Sequence, residues 1–172
     1  VAGGLGGLGL EVADWLYIRG ARRIALLSRS GNVAPEIAPR IELLQNSGIE
    51  LKIIPCDICD AEQVDRTFDA LRETGALSSV FHSAMVLEDQ PLNQITRESL
   101  QRTLPVKTLG LENLDLATRK DDLQAFVAFT SLATLVGNHG QGAYVAANAY
   151  QEALIKKRHA LGLPALAVGW GA

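Results

Sequence analysis

The sequence predicts an α/β chain built on a doubly wound parallel sheet with helices on both faces. Three observations predict it. Short runs rich in Val, Ile and Leu alternate with segments of helical periodicity along the whole length. Those runs are mainly apolar throughout, as strands covered on both faces are. The turn at residues 2–9, AGGLGGLG, is glycine-rich and opens into a helix. This is the Rossmann-like arrangement, with right-handed crossovers and a ligand site beyond the carboxyl ends of the strands.

The elements follow in order. Val1-Ala2 reads as the stub of a first strand. Residues 7–21 carry apolar side chains at 8, 10, 12, 15, 16 and 18 and read as a helix. RRIALLS (22–28) is a strand, and APEIAPRIELLQNSG (34–48) a helix ended by Gly48. ELKIIPCD (50–57) is a strand. DAEQVDRTFDALRETG (60–75) is a helix capped by Asp60, with Gln63 three residues on. LSSVFHSA (77–84) is a strand, and residues 97–119 are mostly helical. AFVAFTS (125–131) is a strand ending in hydroxyls, residues 143–161 form a long helix, and PALAVGW (164–170) is the next strand. There is no internal repeat or long linker.

The chain has 172 residues, which fits one domain, and is 48% hydrophobic and 20% charged. A net charge of −3 with no Lys/Arg block gives no field for nucleic acid. No apolar run reaches the ~18–20 residues of a membrane span, and no signal peptide is expected. Cys56 and Cys59 form a CxxC with no second pair and only scattered histidines, so no metal site is expected. They read as two ordinary thiols in a reducing, cytoplasmic setting. The strand stub at the start and VGWGA at the end suggest a chain cut at both ends.

Gly4-x-Gly6-x-x-Gly9 lies at a strand end and opens a helix. That context favours a pyrophosphate site, because glycine admits close backbone approach and the helix N-terminus supplies free N–H groups. At the end of the second strand stand Ser28-Arg29-Ser30, where an NAD enzyme carries an acid for the ribose hydroxyl. A guanidinium pairs instead with a 2′-phosphate, so NADPH is expected over NADH. Asp57 is placed either to accept from the adenine amino group or to cap a turn.

Ser131 ends the fifth strand, counting the stub. Tyr144 and Asn148 follow one turn apart on one helix face, behind the glycine-rich loop GNHGQG. Lys107 lies on the preceding helical segment. The four suit hydride reduction of a ketone. A tyrosine can protonate the nascent alkoxide if an ammonium stabilises its phenolate. A serine hydroxyl can polarise the same oxygen, and an asparagine can position the lysine or a relay water.

The motifs GGLGGLGL, LLSRSG, CDICD, VFHSAMVLED, VKTLGLENL, FTSLATLVGNHGQGAYVAANAY and GLPALAVGWG carry a resemblance. The chain resembles the ketoreductase domain of modular polyketide synthases, related to that of animal-type fatty acid synthases, in the short-chain dehydrogenase/reductase superfamily. The most specific mark is Asn148 four residues after Tyr144, where many short-chain dehydrogenases have Lys, with the lysine far upstream at 107. The resemblance implies one catalytic NADPH-binding domain over residues 1–172, with Lys107, Ser131, Tyr144 and Asn148 as the catalytic set. It implies nucleotide contacts from Gly3, Gly4, Leu5, Gly6, Gly7, Leu8, Ser28, Arg29, Asp57, Ile58, Ser83 and Ala84. The substrate would be a β-ketoacyl thioester on an acyl carrier protein, with other synthase domains in cis.

A stereochemical signature accompanies the family. Leu87-Glu88-Asp89 resembles the Leu-Asp-Asp of one group, and Gln141 stands where the other group has Trp. Together Leu87, Asp89 and Gln141 resemble the B-type pattern, which implies a D-configured β-hydroxyl. Glu88 departs from it, Met85 stands in HSAM where many relatives have HAAG, and Ala2 replaces a frequent Thr. Two other readings remain: a silent reductase-like scaffold, which usually loses the glycine turn or the tyrosine, and a free-standing short-chain dehydrogenase on a small alcohol or sugar.

Overall fold

The structure is a computed structural model and describes residues 1–171. Helix α1 (Gly7–Ile18) follows the glycine turn and leads to β1 (Arg23–Ser28). Then come α2 (Ala38–Asn46), β2 (Glu50–Pro55), α3 (Ala61–Glu73) and β3 (Ser79–His82). After a 3-10 turn come α4 (Arg97–Lys107), α5 (Leu109–Ala117), β4 (Ala125–Ser131), α6 (Ala133–Val136), α7 (Gly142–Ala160) and β5 (Leu166–Trp170). All strand pairs are parallel: β1 with β2, and β3 with β4 with β5.

Among the described residues, Ala2 supplies the strand-type bridges between the two halves of the sheet. It bridges Leu27 on one side and His82 on the other. Its N–H donates to the Phe81 carbonyl at 2.8 Å, and its carbonyl accepts from Ser83 N–H at 2.9 Å. The order across the sheet is therefore β2-β1-Ala2-β3-β4-β5, with the glycine turn leaving from its middle. Away from this bridge, β1 and β3 face each other across a slot of about 320 Å³.

Period-two alternation sends side chains to both faces. Ile24 and Leu26 of β1 pack with Leu10 and Ala13 of α1 and Ile41 and Leu44 of α2. Leu27, Val80, Phe126 and Ala128 pack on the other face with Val64 and Phe68 of α3, Leu111 and Leu114 of α5, and Leu154 and Ile155 of α7. Coverage on both faces holds at the centre of the sheet. β2 contains no fully buried residue, and Leu166 and Trp170 of β5 stay about half exposed, because each of these strands has one neighbour among the described residues.

Two helices differ from the sequence expectation. α2 begins only at Ala38, since Pro39 lacks an N–H and fits the first turn but not an interior. The helical segment 97–119 divides at Thr108 into α4 and α5. The Asp60 cap holds: its carboxylate accepts from Gln63 N–H at 3.1 Å. Gln63 does not return to the Asp60 backbone; its oxygen instead accepts from Asp57 N–H at 3.0 Å.

Arg158, 1% exposed, ties α7 to the neighbouring elements. Its guanidinium donates to the Asp115 carboxylate on α5 and to the Pro164 carbonyl, and lies 4.1 Å from the Phe126 ring centroid. Removing one member of a buried pair strands the other charge. Asp115→Ala is expected to cost about 3–5 kcal/mol in urea unfolding. Asp115→Leu combined with Arg158→Met is expected to regain most of it. A loss below about 1 kcal/mol for Asp115→Ala would show that the pair does not anchor α7.

Candidate active site

The glycine turn is shaped by contact. A Cβ on Gly9 would sit 2.2 Å from the Gly3 carbonyl oxygen, so glycine lets α1 start tight against the turn. Gly3 has φ +77°, and a Cβ there would meet the Ala84 backbone at 2.6 Å. Gly7, first residue of α1, has open space where a side chain would be. A cleft of about 790 Å³ opens there. Its lining includes Gly3, Gly6, Gly7, Leu8, Ser28, Arg29, Asp57, Ile58, Ser83 and Ala84, all expected from the sequence. Gly4 and Leu5, also expected, are not in that lining: Gly4 backs onto Leu26, and Leu5 packs with the α1–α2 core. Cys59, Gln101, Arg102 and Val106 line it without having been anticipated. α4 brings the last three there, and its contacts belong to tertiary packing, not to a motif.

Arg29 is exposed and makes no ion pair among the described residues, so its guanidinium is available to an anion. Ser28 Oγ accepts from Gly31 N–H at 3.0 Å and fixes this turn. Asp57 is a turn cap at one oxygen, accepting from Cys59 N–H at 2.9 Å. Asn113 donates to the Ile58 carbonyl at 2.8 Å and fixes the neighbouring backbone. Burial raises both thiols, Cys59 to about 11 with help from the Asp57 carboxylate, and both cysteines are free. They rest as thiols.

Lys107 is the last residue of α4 and is 4% exposed. Its Nζ donates to the Phe129 carbonyl of β4 at 2.9 Å and to Gln151 Oε1 of α7 at 3.0 Å. It lies 5.7 Å from the Tyr144 ring centroid, within cation–π range. Burial lowers its pKa to about 8. The structure thus brings Lys107 and Tyr144 together. Ser131 ends β4, and its Oγ accepts from Ala133 N–H at 3.1 Å, which leaves its own proton to donate. Among the described residues the Tyr144 hydroxyl has no hydrogen bond.

Of the two roles read for Asn148, placing Lys107 or a relay water, a direct bond to the lysine is not made. Asn148 is fully buried and donates to the Tyr144 carbonyl at 2.8 Å; it does not bond Lys107. Gln151 takes that place. The sequence carried a signal for it: a glutamine three residues beyond Asn148 and seven beyond Tyr144 shares their helix face. His82 is buried between β3 and α4. Its Nδ1 accepts from Ala84 N–H at 3.2 Å, so Nε2 carries the proton and donates to Val106 at 2.9 Å. Burial and the nearby Lys107 charge lower its pKa to about 3.

A family model described as KR domain matches residues 1–172. The chain belongs to the KR, or ketoreductase, domain family of polyketide synthases. It is 43% identical over 171 residues to polyketide synthase GfsA of Streptomyces halstedii, covering 99% of this chain and 2% of that protein. It is 41% identical over 171 residues to GfsB of the same organism, covering 99% of this chain and 3% of that protein. A solved structure titled as an A1-type ketoreductase superposes with a TM-score of 0.94 at 38% identity, over 99% of this chain and 36% of that one. The KR chain therefore spans a small fraction of its curated relatives. Membership implies ketoreduction with a nicotinamide cofactor, and the parallel α/β fold agrees with that of ketoreductase structures.

In this KR domain the loop after β3 is fastened to the turn before α7. Gln141 Nε2 donates to Asp89 at 2.9 Å, and Gln90 N–H donates to the Gly140 carbonyl at 2.7 Å. Glu88, the departure in the signature, is held away by two bonds from Arg102, at 2.7 and 2.8 Å. Leu87 and Met85 are about half exposed. The segments carrying Leu87, Asp89 and Gln141 are thus brought together.

Linkage fixes how stability follows pH. His82 binds its proton near pH 6.5 when unfolded but near 3 when folded, so its contribution is full above 6.5 and fades as pH falls towards 3. Lys107 behaves as a depressed base too: between pH 8 and its ordinary 10.5 the unfolded chain binds more protons, and stability gains with rising pH. The His82 share is roughly 2–3 kcal/mol by pH 4. His82→Asn is expected to flatten the fall of the urea midpoint between pH 6.5 and 4. An equally steep fall in that variant would show that His82 is not the buried neutral group.

Proposed function

We propose that this KR domain binds NADPH and reduces the β-keto group of an acyl thioester on an acyl carrier protein to a β-hydroxyl. The observation that carries the reading is the buried Lys107 ammonium against the Tyr144 ring. The cofactor fits the residues present: an open Gly7 at a helix start, a turn that Cβ atoms would block, and an exposed Arg29 without an ion pair. When bound, the nicotinamide supplies the hydride.

The chain's own residues do the rest. Backbone N–H groups at the start of α1 bind the pyrophosphate, and Arg29 pairs with the 2′-phosphate. Ser131 donates its hydroxyl proton as a hydrogen bond to the keto oxygen and polarises it. Tyr144 gives its phenolic proton to that oxygen as charge develops. Lys107 stabilises the resulting phenolate, and it does so better for being screened from water. The B-type assignment, with a D-configured product, belongs to this reading; it is supported by Gln141 in the tryptophan position and by its bond to Asp89. Other synthase domains in cis and a cytoplasmic setting complete it, the latter supported by the free thiols.

NADPH oxidation with a β-ketoacyl thioester tests the reading. Tyr144→Phe is expected to cut turnover by roughly 10²–10⁴ with cofactor affinity nearly unchanged. Arg29→Ala is expected to weaken NADPH by about 10–100-fold and leave NADH alone, as loss of a charge-assisted bond implies. Chiral chromatography reads the configuration. Near-parent turnover in Tyr144→Phe would overturn the mechanism.

A further inference from the structure

We propose that Gln151 is a positioning residue for Lys107: its amide oxygen and the Phe129 carbonyl are the two acceptors that hold the ammonium at the Tyr144 ring. The proposal rests on the reading that Lys107 serves Tyr144.

A lysine has a flexible four-carbon stem and three donors on a compact charge. Buried, that charge needs acceptors of fixed position. The Phe129 carbonyl belongs to β4, which is held in register by a strand on each side. Gln151 belongs to α7, the helix that carries Tyr144, so one bond sets the ammonium relative to the phenol's own backbone.

The orphaned atoms of this helix face support a role beyond packing. Gln151 is fully buried, and its Nε2 has no protein partner. Leaving a buried donor unmade costs about 1–3 kcal/mol. An apolar side chain of similar volume would fill the space without that cost, so the amide is explained by what its oxygen does. The oxygen must face Nζ, because an NH2 group cannot accept, and this fixes the orientation of the amide.

The chemistry of the acceptors also matters. The groups around Nζ are the Phe129 carbonyl from β4, Gln151 and Tyr144 from α7, and the neutral His82 ring from β3. On α4 itself Arg102 is engaged with Glu88. Among the described residues no carboxylate bonds the ammonium. A carboxylate would draw the charge into an ion pair, whereas an amide locates it without neutralising it. The full charge then remains for the phenolate.

The test compares Gln151→Glu and Gln151→Met with the parent by two readouts. One is the NMR titration of isotope-labelled Lys107, assigned with Lys107→Met. The other is turnover against pH. Gln151→Glu is expected to raise the Lys107 midpoint by at least tenfold in proton affinity and to slow turnover at pH 7 about tenfold, with KM for NADPH within twofold. Gln151→Met is expected to lower the midpoint, with the alkaline limb of kcat moving down in step. Unmoved midpoints and limbs overturn the proposal, and so does a slower Gln151→Met whose limb stays in place, since that marks packing alone. A third readout needs no variant: the parent should give a cross-peak between the Lys107 Cε protons and the Gln151 amide protons, and its absence also overturns the proposal. If the parent reduces no β-ketoacyl thioester, the functional reading fails while the titrations and the cross-peak still decide the Gln151 contact.

Discussion

A buried ammonium imposes the tightest constraint in this molecule. Lys107 sits at 4% exposure, and an unpaired charge there would cost several kcal/mol. Its two bonds can form only if α4, β4 and α7 meet at one point. α4 ends on Lys107, β4 offers a carbonyl just before its terminal serine, and α7 offers a glutamine two turns past the tyrosine. His82 adds a bond from β3 to the Val106 carbonyl, next to Lys107. The packing of one end of the molecule is thus set by where one charge must be.

The cleft at the glycine turn depends on a different joint. Ala2 is the residue through which the two half-sheets communicate, and the glycine turn starts at the next residue. Gly3 backs onto Ala84, so the turn and the segment after β3 are in contact. That segment lines the cleft at Ser83 and Ala84 and is fastened to the approach of α7 at Asp89 and Gln90. A continuous path of contacts therefore runs from the glycine turn to the tyrosine helix.

Much of this was legible in the sequence because it is local. The parallel sheet, the order of elements, the Asp60 cap and the tight glycine turn follow from periodicity and short-range geometry. So does the shared face of Tyr144 and Asn148. What escaped depends on contacts between distant residues. Asn148 was read as placing either Lys107 or a relay water; the acceptor on Lys107 is Gln151, because the rotation of α7 against α4 decides which residue on that face meets the ammonium. That Gly4 backs onto Leu26 and Leu5 onto the α1–α2 core was likewise not readable from the motif, because both contacts come from tertiary packing. The late start of α2 was readable in Pro39. The partial exposure of β2 and β5 was not, because apolar composition does not say which strands stand at the sheet's edge.

The most direct measurement is a double-mutant cycle of Lys107→Met and Tyr144→Phe, read by single-turnover NADPH oxidation with a β-ketoacyl thioester. If the ammonium acts through the phenol, Lys107→Met is slow alone and adds almost nothing in the Tyr144→Phe background. Losses that multiply would mean that the two groups act independently, and would contradict the account.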